Sequence, residues 1–425
     1  MKRRISLGIL ALVLAVNLAV GYWVYSREVR KTGGDDGVLK ELGMIVQVLQ
    51  LIRQNYVDID KVTSRQLLDG ALSGMTEVLD PFSRYLPPTD FQELIEDSEG
   101  QFGGIGVTVN AAEKGLVVEA LTANGPAAKA GIELNDLIIA VDDQPVTQGD
   151  FQNSLLRIRG KPGTRVKITV CRGPNEEVFH FDVERALIPM PNVTCTQMIP
   201  GTKVGFVRIE QFMEPTARRL QESLMRLEAK GMTALILDLR GNPGGLLDSA
   251  VDVCSLFLPP GSLVVSIMHH SDTRLNRESE NFERHYARSG YCIPDYIPMA
   301  VLVDSESASA SEITAACLQD HKRAILVGEK TYGKGSVQDI FDLEDGCAIK
   351  LTVARYYTMD KKRPTIDKNG VKPDFEVKLE DKMRIRVFRD FAADKIDLKK
   401  DLQLSRALQE IRKRSPLGLR RLQDE

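Results

Sequence analysis

The sequence predicts an α/β core that carries a smaller α+β domain, preceded by a pair of helices and one N-terminal apolar span. Three observations predict it. Beyond residue 186, continuous apolar runs such as Ala234 to Leu239 and Met299 to Val303 alternate with helical periods, the pattern of strands buried on both faces. Between Gly103 and Glu184 the chain instead reads as short strands punctuated by Gly and Pro, with a single helix. Ahead of both, Ile5 to Tyr25 holds no charged residue.

That uncharged stretch has 21 residues. As a helix it would be about 31 Å long, which matches a hydrocarbon core of about 30 Å. Lys2, Arg3 and Arg4 precede it, and Tyr22, Trp23 and Tyr25 cluster at its far end, where amphipathic rings favour the headgroup layer. We expect a membrane anchor with the rest of the chain outside the cytoplasm. A cleaved signal peptide, giving a secreted form, is the rival, but Gly21-Tyr22-Trp23 makes a poor cleavage site.

The formal charge of -3 hides an asymmetry. Residues 1–31 carry six Lys/Arg and one acid, leaving 50 basic against 58 acidic side chains in the remainder. Binding nucleic acid would need a basic excess, so nucleic acid is not an expected partner. Six cysteines, at 171, 195, 254, 292, 317 and 347, include no Cys-x-x-Cys and no zinc-like spacing, so neither a metal nor another cofactor is expected. Cys171, Cys254 and Cys317 occupy apolar positions and read as buried thiols.

Residues 32–43 are rich in Gly and Asp and read as a linker. Met44, Val46, Leu49, Leu51, Ile52 and Tyr56 then recur at helical spacing, and a second helix runs from a Ser64 cap to about Leu79. Two amphipathic helices make no core of their own, so we expect them to dock elsewhere and to mediate homo-oligomer formation.

In the next domain Ile105, Val107 and Val109 alternate with Gly106 and Thr108 as a strand, and Leu116 to Ala120, Leu137 to Val141 and Val166 to Val170 come after it. Asp150 is expected to cap a helix carrying Phe151, Leu155, Leu156 and Ile158. Gly104-Ile105-Gly106-Val107 resembles the carboxylate-binding loop of PDZ domains, whose glycines turn successive N–H groups toward one anion. Gly125-Pro126-Ala127-Ala128-Lys129-Ala130-Gly131-Ile132 with Asp136-Leu137-Ile138 is similar to the middle of bacterial PDZ domains. That resemblance implies binding of protein C-termini.

In the α/β part, Lys203 to Ile209 reads as a strand, Pro215 to Lys230 as a helix, and Ala324 to Val327 and Cys347 to Val353 as further buried strands. The strand Met299 to Val303 runs through Asp304-Ser305-Glu306-Ser307 to Ser309, which has alanine on each side, and then into an apolar helix. A nucleophile on a strand-to-helix elbow needs small neighbours, and a helix start sets the Ala310 N–H beside a developing oxyanion. Histidine supplies no base, because His321 lies about 18 Å further along the same predicted helix. Lys334, in Thr331-Tyr332-Gly333-Lys334-Gly335-Ser336, fails the P-loop pattern, whereas a desolvated lysine can take a serine proton. Gln338 lies four residues on, on the same face if the segment is extended, and is placed to orient the amine.

Ser307 to Glu312, Gly333 to Gln338 and Asp238-Leu239-Arg240-Gly241-Asn242-Pro243-Gly244-Gly245 closely resemble the carboxyl-terminal processing peptidases of family S41, in that family's order, from about Met44 to Val377. The resemblance implies a crotonase-like core, Ser309 as nucleophile, Lys334 as general base and Gln338 positioning it. It also implies an oxyanion hole of the Ala310 N–H with Gly244 or Gly245, and protein substrates held by their C-terminal tails. An adaptor protein is a further partner it leaves open. Where the family has a Thr-Pro-x-Gly-Arg segment, this chain has Tyr357-Thr358-Met359-Asp360-Lys361-Lys362-Arg363-Pro364, a changed loop that leaves the dyad intact. His269 to Pro294 reads as an inserted surface loop. The expected divisions are 1–31 for the anchor and flanks, 32–100 for the linker and helices, 101–186 for the PDZ domain, 187–381 for the peptidase core and 382–425 for a helical tail. The rival readings are a catalytically silent PDZ scaffold and acyl-CoA chemistry on the same fold.

Overall fold

The computed structural model describes residues 36–147, 149, 151–269, 282–290, 293–358, 366–392 and 395–414. The expected membrane span and the Asp150 cap lie outside them. Among the described residues no helix is long and apolar enough to cross a membrane. The chain divides into two compact units between Leu79 and Asp80.

The first unit contains the helices Asp36–Asn55 and Ser64–Glu77. The first begins inside the segment whose composition reads as a linker, because Asp and Gly also mark helix starts. The second is capped by Thr63 rather than Ser64: Thr63 Oγ1 accepts from Gln66 N (3.2 Å) while Gln66 Oε1 accepts from Thr63 N (2.8 Å). Met44, Ile45, Val46, Leu51, Leu68 and Met75 are exposed.

The second unit is organised around a six-stranded sheet in the order Val193–Met198, Val204–Ile209, Ala234–Asp238, Met299–Val303, Ile325–Gly328, Phe375–Glu376. The first pair is antiparallel and the rest are parallel. Alternate residues divide between two cores. Val207, Leu235, Leu237 and Val301 face the helices Thr216–Ala229, Leu247–Ser255 and Ala310–Asp320. Phe206, Ile236, Ala300 and Leu302 pack with Val387, Phe391, Leu404 and Ile411 of the helices Asp381–Ala392 and Leu402–Arg414. The C-terminal helices therefore form one face of the core.

They are also tied to it by charge. Arg240 Nη1 and Nη2 donate to Asp401 Oδ1 and Oδ2 (2.9 and 2.8 Å), and Arg240 Nε and Nη2 donate to Asp238 (2.9 and 2.7 Å). Arg240 and Asp401 are 1% and 2% exposed, so removing one partner strands a buried charge. Asp401→Ala should cost about 3–5 kcal/mol in urea unfolding of the core. A loss below about 1 kcal/mol, the scale of a surface pair, would show that the ion pair does not hold the helix in place.

A second sheet joins Arg84–Leu86, Ala348–Tyr357, Leu263–His269 and Phe282–Tyr286, with Ser336–Asp342 also paired to Ala348–Tyr357. Ala348–Tyr357 is thus half-buried rather than the buried strand expected at Cys347 to Val353. Part of the expected loop from His269 to Pro294 is strand, Phe282–Tyr286, because it pairs with Leu263–His269. Of the three cysteines expected as buried thiols, Cys254 and Cys317 are buried, whereas Cys171 is only partly buried near the end of the strand Arg165–Arg172.

Residues 107–184 form an antiparallel sheet in the order Val107–Ala112, Gly115–Leu121, Leu137–Val141, Arg165–Arg172, Glu177–Glu184, with the helices Pro126–Ala130 and Phe151–Ile158. The first expected strand starts at Val107 rather than Ile105, since Gly106 has φ +77°. The strands Glu177–Glu184, Val193–Met198 and Leu263–His269 and the helix Pro88–Glu99 are among the elements that escaped the sequence reading.

Candidate active site

Three loops at the carboxyl ends of adjacent parallel strands build the site, the position at which open α/β sheets place their ligands. The loop after Ala234–Asp238 is shaped by Asn242. Its Nδ2 donates to Ile209 O (2.8 Å), its Oδ1 accepts from Gly244 N (2.8 Å), and its carbonyl accepts from Ala308 N and Ser311 Oγ (both 3.0 Å). Asp304 joins this loop to the serine loop, since its Oδ1 accepts from Gly241 N (2.9 Å) and Ser307 N (3.1 Å). Gly244 has φ +102°, and a Cβ there would lie 2.7 Å from Ser309 Cβ and 2.9 Å from Ala310 N. Only glycine permits that approach.

Ser309 starts the helix Ala310–Asp320 with φ +55° and ψ −115°, a conformation that non-glycine residues adopt only where surrounding structure enforces it. The enforcement comes from Glu312, which is fully buried. Its Oε2 accepts from Ser309 N (2.9 Å) and Lys334 N (2.8 Å), and its Oε1 accepts from Gly333 N (2.8 Å) and from Thr331 Oγ1. One carboxylate thus fixes the backbone of the serine and of the lysine together. Burial pushes the Glu312 pKa up, and these bonds only partly offset it.

The two side chains do not meet in this structure. Ser309 Oγ is 2.8 Å from Tyr356 Oη, a hydroxyl whose pKa burial raises, so it stays a neutral phenol. Lys334 Nζ stands over the Phe82 ring, 4.7 Å from its centroid. Burial pushes the Lys334 pKa down, against the pull of the Glu312 and Asp80 carboxylates. Nearby Lys350 is pushed down to about 8 by burial and then by the positive charges of Lys334 and Arg84.

Gln338 reaches the lysine only indirectly. Its Nε2 donates to Ser336 Oγ (2.8 Å) and Thr352 Oγ1 (3.3 Å), and Thr352 Oγ1 donates to Asp80 Oδ1 (3.2 Å). The pairing register shifts between Val337 and Gln338, which upsets the simple alternation that put Gln338 on the lysine's face. Of the two candidate loop donors, Gly244 N–H is engaged by Asn242 and Gly245 remains.

Glu312, Tyr356, Phe82, Asp80 and Lys350 were not read as site residues. Only Glu312 had a local signal, its place three residues after a helix-starting serine, the spacing of a capping box. In the smaller domain Ile105, Gly106 and Val107 line a groove of about 210 Å³ with Leu155, Leu156 and Arg159. Gly104 lies outside that lining and ends the strand Gln101–Gly104, paired with Ala186–Pro189.

Residues 203–377 match the family model of peptidase family S41, residues 103–183 that of a PDZ domain, and residues 24–89 that of the activating protease CtpB N-terminal domain. The chain is 32% identical over 382 residues to a carboxyl-terminal-processing protease of Synechocystis sp., covering 85% of this chain and 86% of that protein. It is 34% identical to the carboxy-terminal processing protease CtpA of Bacillus subtilis, covering 76% and 66%. Among solved structures it is similar to a photosystem II D1 C-terminal processing protease, at 27% identity, 79% and 92% coverage and a TM-score of 0.42.

Proposed function

The chain belongs to the carboxyl-terminal processing proteases of peptidase family S41, and we propose that it is a PDZ-regulated serine endopeptidase that recognises protein C-terminal tails and cleaves through a Ser309/Lys334 dyad. The observation that carries this reading is the Glu312 carboxylate, which holds the Ser309 and Lys334 backbones on one side chain.

For the reaction, Ser309 Oγ exchanges Tyr356 for Lys334 Nζ, and neutral Lys334 takes the hydroxyl proton as Oγ attacks the scissile carbonyl carbon. The N–H groups of Ala310 and Gly245 receive the carbonyl oxygen as it becomes negative. Collapse expels the amine, which takes the proton from Lys334, and leaves an acyl ester on Ser309. Water, deprotonated by the same lysine, then releases the new C-terminus and restores Oγ–H. Gln338 acts on Lys334 through Thr352 and Asp80.

The groove lined by Ile105, Gly106 and Val107 receives the tail as an added strand, with its carboxylate on backbone N–H groups. We also propose that Ile5 to Tyr25 anchors the protein with its catalytic part outside the cytoplasm. The exposed apolar side chains of the first two helices support self-association.

The test compares one substrate protein with its C-terminus free and amidated, incubated with the full chain. The free tail should be cleaved at least about tenfold faster, the scale of one set of charge-assisted hydrogen bonds. Equal rates would remove the groove from tail recognition. No cleavage of either, with no labelling of Ser309 by a fluorophosphonate, would favour a silent scaffold.

A further inference from the structure

Lys334 Nζ has no hydrogen-bond acceptor among the described residues; the group it meets is an aromatic face. The Phe82 ring that faces it belongs to a tightly held turn. Asp80 Oδ1 accepts from Phe82 N (2.8 Å) and Ser83 N (2.9 Å), and Ser83 Oγ donates to Asp80 Oδ2 (2.7 Å). Thr352 N donates to Ser83 Oγ (3.0 Å), which pins the turn to Ala348–Tyr357, the strand that also carries Lys350 and Tyr356. The next residues, Arg84–Leu86, pair with that strand, and Leu86 is fully buried. Burial alone would raise the Asp80 pKa, but the bonds from Ser83, Phe82 and Thr352 outweigh it, so the carboxylate stays charged and the turn stays closed.

We infer that Phe82 is the positioning residue for the base: its ring face seats the Lys334 amine, and Asp80 fixes the ring through the turn. This rests on Lys334 being the base. Phe82 and Asp80 lie outside residues 203–377, so the seat is supplied by chain that precedes the peptidase-family match.

An aromatic seat suits the work a lysine base must do. It has to be neutral before attack and charged after it. A carboxylate in direct contact would hold the proton too firmly, and an aliphatic wall would leave the new ammonium without any partner. A ring quadrupole lies between, attracting the cation without removing the amine's lone pair from use. The charged groups around the amine are Glu312 from the serine helix, Asp80 from the turn, and Lys350 from the strand with Arg84 beside it. Among the described residues, none of them forms a hydrogen bond or ion pair with Lys334 Nζ.

The test is a heteronuclear NMR titration of the lysine side-chain amines, with the Lys334 signal assigned by its loss in K334A. In F82L the Lys334 pKa should fall by about half to one unit, because a cation–π contact favours the charged form by that order. The F82L kcat should drop about tenfold with KM unchanged, since peptide contacts are untouched. F82Y, which keeps the ring, should restore both. If F82L does not fold, pentafluorophenylalanine at position 82 keeps the ring's shape while reversing its quadrupole, and should lower the pKa at least as far, because attraction of the ammonium becomes repulsion. An unchanged Lys334 pKa in either variant, or an F82Y that behaves like F82L, overturns the seat. Retained activity in K334A would instead overturn the dyad, and the titration would still decide the seat.

Discussion

Ser309→Ala should lower peptide hydrolysis by on the order of 10⁴-fold or more, the scale seen when a nucleophile is removed from a preformed site. The neighbouring serines cannot stand in for it. Ser307 Oγ donates to Leu239 O (2.8 Å) and Ser311 Oγ to Asn242 O (3.0 Å), and both residues are fully buried. The Glu312 bonds reach Ser309 through its backbone N–H, so they survive the substitution. Folding should survive too, at a cost of about 1–3 kcal/mol, because the buried Tyr356 hydroxyl loses its partner. Hydrolysis by the purified variant, with tail binding measured in parallel, is the check. Full activity would move the nucleophile elsewhere, and loss of tail binding as well would mean the variant is misfolded.

Lys334→Arg should be nearly as damaging as Lys334→Ala, although it keeps the charge. A guanidinium stays protonated, so it cannot take the Ser309 proton. The same logic fixes the pH dependence. Burial holds the Lys334 pKa below the ordinary lysine value, with Glu312 and Asp80 pulling the other way. The neutral fraction grows as pH rises toward that lowered pKa, so kcat/KM should climb through the alkaline range and then level off. Lys350 is a competitor, since its own pKa is pushed down to about 8. Activity that survives in K334A and disappears in K350A would reassign the base.

The parts legible in the sequence were those written in short spacings. Met299–Val303 matches its expected strand because five consecutive apolar residues lie in a parallel sheet covered on both faces. Ser309 and Lys334 stood out through their small neighbours and their places beside buried strands. The features that escaped depend on pairings that no local pattern records. Ala348–Tyr357 aligns Lys350 with Arg84 on one side and Ile340 on the other, and the adjoining turn holds Phe82 to the lysine. Gln338 was placed by alternation, which a register shift at Val337 and Gln338 invalidates. Arg240 and Asp401 stand 161 residues apart, so the two C-terminal helices looked like an appendage.

The helix Leu402–Arg414 is a working part of the core that carries the site, although it lies far along the chain from it. Gln403, Leu404, Ala407, Leu408 and Ile411 are all buried, and Asp401 just before them holds the arginine at the root of the Asn242 loop. A cut that reaches Asp401 would strip Arg240 of a partner and loosen the loop that carries Asn242 and Gly245. Shortening the chain into this helix should therefore disturb the site without removing any residue that lines it.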